Sequence, residues 1–511
     1  MTRLRHSSWN VASGMAYMVL TVGIGIFTTP WLLRWLGQER YGTWRVMSDA
    51  FVYLTLLDLG FGGAVMALLA PALGRRDSAT ASRVIVSSLA VYRMITLAML
   101  AAGVLLVILL PRLIPQMSAR EIRLAAAILV LPALWTFANV FRALAEARQQ
   151  SYVVTLALMA QYLLITGLSL FAAKMNWKLP GQAAANAIGL LVPAAYLVST
   201  GLRQYPGSAS SKSTSPMNSA LWKLSWPTLI FNLSGRAGLM SDNIVIGWAI
   251  GPAMVAPFYL TQRLAALAQL QLQGIGNGTW AGLVELHAQG DAPTFRARLL
   301  ELTGLVSGLG LAILGPIAAY NRQFVQHWLG LDSYAGDAVT LLACLNAWLW
   351  SIFSLWGWPL SGAGKIAAWA PYSLVFLAVN LGVSIVGALR FGMVGPLLGT
   401  LAAFLSVNLW AMPLVLEKCF GVRSGCVLCA AGKPLLCGLP YTGLIWSVAH
   451  HYAAKGWIEL GVELSASVAG GIAVWYFTAV SREERKVWKA RITGLLFENR
   501  RAVDPGSVVA G

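Results

Sequence analysis

Leu36-Gly37-Gln38-Glu39-Arg40-Tyr41-Gly42-Thr43-Trp44 is a short polar break between two apolar runs, residues 11–33 and 43–70. A bilayer span takes about 20 mostly apolar residues, so each run is long enough to cross. The break is built for an interface. It offers a glycine where the chain turns, a cluster of polar and charged residues, and a tyrosine and a tryptophan of the kind that sit at the headgroup layer. The two runs therefore read as consecutive membrane helices.

Working outward, the same pattern continues to the end of the chain. Further apolar runs lie at approximately 84–110, 122–145, 152–173, 181–200, 221–250, 253–285, 297–320, 337–361, 369–389, 393–416, 430–450 and 457–480. Only 11% of residues are charged and 58% are hydrophobic, against roughly 25% charged in a soluble domain. No polar stretch is long enough for a soluble catalytic domain. The expected class is all-α integral membrane, with about fourteen transmembrane helices. The basic start, Met1 to His6, precedes a run too long for a signal-peptide core, so that run reads as a retained first helix.

Charge sets the orientation. With a cytoplasmic N-terminus, most of the 37 Lys and Arg fall on inside segments, as the positive-inside rule requires. An even helix count returns the C-terminus to the cytoplasm, where the tail from Arg482 to Arg501 is rich in cations. That tail interleaves Val487, Trp488, Ile492, Leu495 and Leu496 with its charges, which suits the anionic inner leaflet. The net charge of +18 is thus a topology and lipid signal, and nucleic-acid binding has no basic soluble domain to use. Among the five cysteines, Cys426-x-x-Cys429 has metal-ligand spacing, but no second pair or histidine lies near to complete a tetrahedral site. Small buried thiols are the preferred reading and no metal is expected. His450-His451 receives no role.

The two halves of the chain resemble each other at an offset of 214 residues. Gly37 aligns with Gly251, Gly60 with Gly274, Gly62 with Gly276, Asp77 with Asp291 and Thr80 with Thr294. The offset maps helices 1 and 2 onto helices 7 and 8, so both copies enter the membrane in the same direction. Parallel repeats of this kind relate two lobes, with a substrate site near the midplane. The expected organisation is an N-lobe at 1–202, an inter-lobe linker at 203–218 with Ser/Pro/Gly composition, a C-lobe at 219–417, helices 13 and 14 at 418–480, and a basic cytoplasmic tail at 481–511.

The Leu36–Trp44 stretch resembles the LG-x-x-x-YG-x-W element of Wzx-type polysaccharide (O-antigen) flippases, and Leu56-Leu57-Asp58-Leu59-Gly60-Phe61-Gly62 resembles their LLDLG-x-G element. These flippases belong to the multidrug/oligosaccharidyl-lipid/polysaccharide (MOP) exporter superfamily. The motifs cover residues 8–85, and the layout of six, six and two helices extends the likeness over the chain. The resemblance implies alternating access of two six-helix lobes in the bacterial inner membrane. It implies a substrate linked to undecaprenyl pyrophosphate, partners among membrane lipids and other polysaccharide-assembly membrane proteins, no bond chemistry and no cofactor. A coupling ion, H+ or Na+, is open.

Charges within spans are costly and normally face a cavity or a partner. Arg236, mid-way along helix 7, suits a pyrophosphate; its bland reading is an ion pair with Asp242. Arg263 on helix 8 falls at the repeat position of Asp49, so Asp49–Arg263 is a candidate gate pair that Arg45, one turn away, can share. Snorkelling to the interface is the competing account. Asp58 and Arg93 read as a pair inside the N-lobe, or Asp58 as a proton or sodium site. Gln262, Gln269, Gln273 and Asn277 share one helical face and suit hydroxyl-rich sugars, though helix–helix bonding uses amides as well. Trp348, Trp350, Trp356 and Trp358 on helix 10 suit stacking on sugar rings or packing against lipid, and packing is the preferred reading. A multidrug or organic-cation antiporter of the same fold is the alternative function, disfavoured because the spans hold at least as many arginines as acids. A membrane-embedded polysaccharide polymerase or ligase is a weaker alternative, since the outside loops are short and no Asp-x-Asp occurs.

Overall fold

A computed structural model describes residues 3–58, 61–75, 77–148, 150–204 and 241–486. Every regular element among them is a helix. Nine helical stretches are long and apolar enough to cross a membrane, and the bent pair Ala119–Trp135 and Ala138–Ala147 makes a tenth. Two of the nine, Ala12–Gly74 and Ala370–Phe420, each hold two of the apolar runs. Pro252–Thr261 and Arg263–Ala288 cover the run at 253–285. The run at 221–250 lies outside the described residues up to 240. So do most of the 203–218 linker, the tail beyond 486 and Arg236. The all-helical membrane fold read from the sequence is the one observed.

The sequence repeat is also a repeat of backbone geometry. The helix Arg3–Thr55 is broken at Gly37, with φ 77° and ψ 163°. Gly251 precedes the helix Pro252–Thr261 with φ 128° and ψ 155°. Both conformations belong to glycine, because a Cβ clashes with the backbone there. The polar turns recur as well. Asp77 Oδ1 accepts from the Thr80 N–H at 2.9 Å at the start of Ser78–Leu113. Asp291 Oδ1 accepts from the Thr294 N–H at 3.1 Å at the start of Ala292–Leu329. In each case a carboxylate satisfies an amide that the helix itself leaves unpaired.

The described residues group into two compact units. The first lies within Met1–Arg263, Trp328–Asn346 and Gly364–Met412. One of its cores gathers Phe61, Val65, Leu69, Ile85, Tyr92, Val140 and Leu144. A second joins Leu36 and Tyr41 to Ala256 and Leu260. There the segment after Gly37 packs on its repeat counterpart after Gly251, closely enough that a Cβ on Gly42 would run into the Pro252 carbonyl oxygen.

The second unit lies within Leu264–His327, Ala347–Ala363 and Pro413–Gly511. Polar contacts fix its helices internally. Ser307 Oγ donates to the Ala431 carbonyl at 2.6 Å, and Trp356 Nε1 donates to Thr303 Oγ1 at 3.0 Å. Gln323 donates to the Ala449 carbonyl at 2.7 Å and accepts from the Ala454 N–H at 3.0 Å, clamping the turn that follows Ser424–His451. On the last helices Leu436, Leu444, Ile458 and Phe477 are exposed, which is the outward face that lipid covers.

Candidate functional site

The first unit holds a buried polar chain built from the gate residues. Asp49 is 8% exposed. Its Oδ1 accepts from Arg45 Nη2 at 3.0 Å, one helical turn away, and its Oδ2 accepts from Asn243 Nδ2 at 2.6 Å. The Arg45 guanidinium lies 4.0 Å over the Tyr259 ring, a cation–π contact strengthened by desolvation. The Tyr259 hydroxyl in turn accepts from Arg263 Nη1 at 3.2 Å. Arg263 Nη2 rests against Gly25 of the first helix, 3.0 Å from where a Cβ would stand, and the Tyr162 hydroxyl is beside it. Tyr162 donates to the Thr21 carbonyl at 2.9 Å.

Asp49 and Arg263 therefore do not form the direct pair expected of them. Arg45 sits on the same helix as Asp49, one turn before it, and reaches it with little ordering cost. Tyr259 then fills the space in front of Arg263. No carboxylate pairs with Arg263 among the described residues. Asp242 lies beside this chain, near Asp49 and Tyr53. Its Oδ1 is buried with no hydrogen-bond partner among the described residues.

A second polar cluster forms where two spans are interrupted. Thr55 ends one helix, Leu56–Asp58 is a 3-10 turn, and the next helix starts at Phe61. The fourth span bends by 48° between Trp135 and Ala138. Interrupted helices at membrane depth persist where protein or a cavity satisfies the freed backbone. Asp58 Oδ2 here accepts from Asn139 Nδ2 at 3.4 Å, and the Tyr92 side chain adjoins the same carboxylate. Asp58 Oδ1 is buried and unpaired among the described residues. The pairing of Asp58 with Arg93 is not formed. Consecutive residues on a helix point about 100° apart, and Tyr92 takes the inward direction while Arg93 is exposed. A cavity of about 240 Å³ adjoins the cluster, with Thr55, Trp135, Asn139, Arg142 and Gln161 in its wall.

In the second unit, Gln269, Gln273 and Asn277 stand on Arg263–Ala288. Asn277 is exposed and the two glutamines are half-buried. Gln262 is taken up locally, donating to the Phe258 carbonyl at 3.2 Å. Trp348 and Trp356 are packing residues, but they pack inside the protein and not against lipid. Tyr259, Asn243, Asn139 and Trp280 join these clusters without having stood out in the sequence. Only Trp280 carried a signal, standing on the same helical face as the amides.

These features can be set beside known proteins. The sequence matches the profile of the polysaccharide biosynthesis protein family over residues 8–280. The uncharacterized membrane protein EpsK of Bacillus subtilis (strain 168) is 22% identical, covering 94% of this chain and 96% of its own. Among solved structures, the lipid II flippase MurJ in an inward closed conformation matches with a TM-score of 0.68 at 12% identity, over 92% of this chain and 97% of that one. An inward-facing multidrug resistance MATE family transporter of the MOP superfamily matches with a TM-score of 0.65 at 16% identity, over 82% of this chain and all of the other. The two likenesses show that this chain shares the fold of those two transporters. With more than half of its length matched to the family profile, including both motifs at 36–62, this multi-pass membrane chain belongs to the polysaccharide biosynthesis protein family.

Proposed function

We propose that the protein is a flippase that carries a polyprenyl-pyrophosphate-linked oligosaccharide from the cytoplasmic to the outer leaflet by alternating access, with both termini cytoplasmic. The observation that carries the reading is Arg263. Its guanidinium is held within the apolar run 253–285 against Gly25, braced by Tyr259, with no acid paired to it among the described residues. A cation kept in a span without a counter-ion is expensive unless an anion visits it, and a pyrophosphate accepts the bidentate bonds that a guanidinium offers. Arg236 is a second candidate for the same anion. The family's link to polysaccharide biosynthesis supports a glycan-bearing lipid. Asp49, Asp58 and Asp242 are the carboxylates available to a coupling proton or sodium ion.

The test is native mass spectrometry of the purified protein titrated with undecaprenyl pyrophosphate and, separately, with tetraphenylphosphonium. Saturable binding of the lipid is expected. Arg263→Ala should weaken it about tenfold or more, the value of a charge-assisted hydrogen bond. Asp242, whose Oδ1 is buried without a hydrogen-bond partner among the described residues, is the feature that favours a cation antiporter. Selective binding of the phosphonium, lost in Asp242→Asn, would establish that reading in place of the flippase.

A further inference from the structure

Four of the half-exposed or exposed polar and aromatic side chains of Arg263–Ala288 form one line. Gln269, Gln273, Asn277 and Trp280 follow at spacings of four, four and three, which keeps them on a single helical face. The amides of Gln269, Gln273 and Asn277 have no hydrogen-bond partner among the described residues, and between Leu264 and Val284 the helix bears no charge.

The line ends on a pair of indoles. Trp280 and Trp358 stack with ring centroids 6.2 Å apart and planes 30° apart. Each ring is seated on a glycine of the other's helix. A Cβ on Gly362 would stand 2.8 Å from Trp280 Cζ3, and one on Gly276 would stand 3.2 Å from Trp358 Cδ1. The reciprocal seating fixes both rings, which remain half-buried. Trp348 and Trp356 in the same unit give their N–H groups to Ser307 and Thr303, each at 3.0 Å. Trp358 Nε1 is buried with no acceptor among the described residues. A buried donor left unpaired is unfavourable and calls for an explanation.

We infer that Gln269, Gln273, Asn277, Trp280 and Trp358 form a subsite for an uncharged pyranose ring of the transported glycan. The inference rests on the flippase reading above and assigns the sugar-binding part of it. A pyranose has an apolar C–H face and a rim of hydroxyls. The fixed indoles meet the face. The amides, each both donor and acceptor, meet the rim. The absence of charge along the stripe selects a neutral sugar over an acidic or amino sugar.

The test uses the full chain in detergent, with undecaprenyl pyrophosphate as one probe and the same lipid bearing one glucose, galactose or N-acetylglucosamine as the others. Wild type should bind at least one sugar-bearing lipid roughly tenfold more tightly than the bare lipid, the worth of one stack and its hydrogen bonds. Trp358→Phe combined with Gln273→Leu should bring that preference to within about twofold, with binding of the bare lipid unchanged. Trp358→Phe keeps a ring on Gly276 and so keeps the packing, while Trp348→Phe, on a buried packing residue, should retain the preference. Equal binding of bare and sugar-bearing lipids by wild type, or equal weakening of both by the double variant, overturns the subsite and leaves the flippase reading standing. Failure of every undecaprenyl lipid to bind wild type overturns both.

Discussion

The segments 37–80 and 251–294 are two copies of one backbone plan that carry opposite chemistry. Both open on a positive-φ glycine and both close on an aspartate cap. Between those points the residues diverge. The first copy has Asp49 where the second has Arg263, Asp58 where the second has Leu272, and Gly63 and Met66 where the second has Asn277 and Trp280. The first copy is interrupted at Leu56–Asp58, whereas Arg263–Ala288 runs on without a break. Glycines and caps at the ends set the path of the chain. The positions between them are free to become a carboxylate cluster in one copy and an amide and indole stripe in the other.

Asp49 gives the sharpest test of that divergence. Asp49→Ala leaves Arg45 and Asn243 without their acceptor, in a site where the Asp49 side chain is 11% exposed and that of Arg45 26%. Removing one member of a buried pair costs about 3 kcal/mol or more. Thermal unfolding in detergent should show a loss larger than that of any glycine or cap substitution in either copy. Arg263→Ala, at the equivalent position, breaks no ion pair among the described residues and should cost clearly less. Equal losses would mean that the two positions bear the same load and that the contrast between the copies is false.

Gly42 is the next largest. A Cβ there would meet the backbone of Pro252, which cannot swing aside as a side chain can, and overpacking of this kind costs about 2 kcal/mol. The equivalent position in the second copy is Ala256, fully buried with its Cβ in place. Gly42→Ala should therefore destabilise more than Ala256→Gly, which costs about 1 kcal/mol in helix propensity together with a lost methyl contact. The reverse order, measured by the same unfolding assay, would show that the two segments do not touch through Gly42.

The sequence revealed the parts of this plan that are local. The glycine after the first helix and the aspartate at each polar turn act within a few residues of themselves, and they appear in the structure where the sequence placed them. The interior contacts were not legible. Asn243 reaches Asp49 across 194 residues, and Trp280 meets Trp358 from another helix. A membrane helix that is apolar on every side, as most here are, lacks the polar stripe that tells which face of a soluble helix turns inward. That is why charge alone points from Asp58 to Arg93 rather than to Tyr92, and why nothing in the sequence marks Tyr259 as the residue between Arg45 and Arg263.

Gly37→Ala and Gly251→Ala probe what the copies share. Each replaces a glycine at positive φ, at a cost of about 1–2 kcal/mol. The two losses should be of the same size. A loss confined to one of them would reduce the repeat to a likeness of letters.

The smallest effect belongs to the caps, and its pH dependence is its signature. The Thr80 side-chain and backbone bonds hold the Asp77 carboxyl below its ordinary value of 3.8, and the Thr294 bonds do the same for Asp291. A carboxyl lowered on folding contributes stability that is fully present above the ordinary value and is lost as pH falls through the lowered one. Asparagine also caps helices, so Asp77→Asn and Asp291→Asn should leave unfolding near pH 7 almost unchanged. Each should flatten the decline below pH 4, by the same small amount in the two copies. If only one variant flattens it, the turns share a hydrogen bond in the folded chain but not the electrostatics that should come with it. The equivalence of the copies would then stop at the backbone.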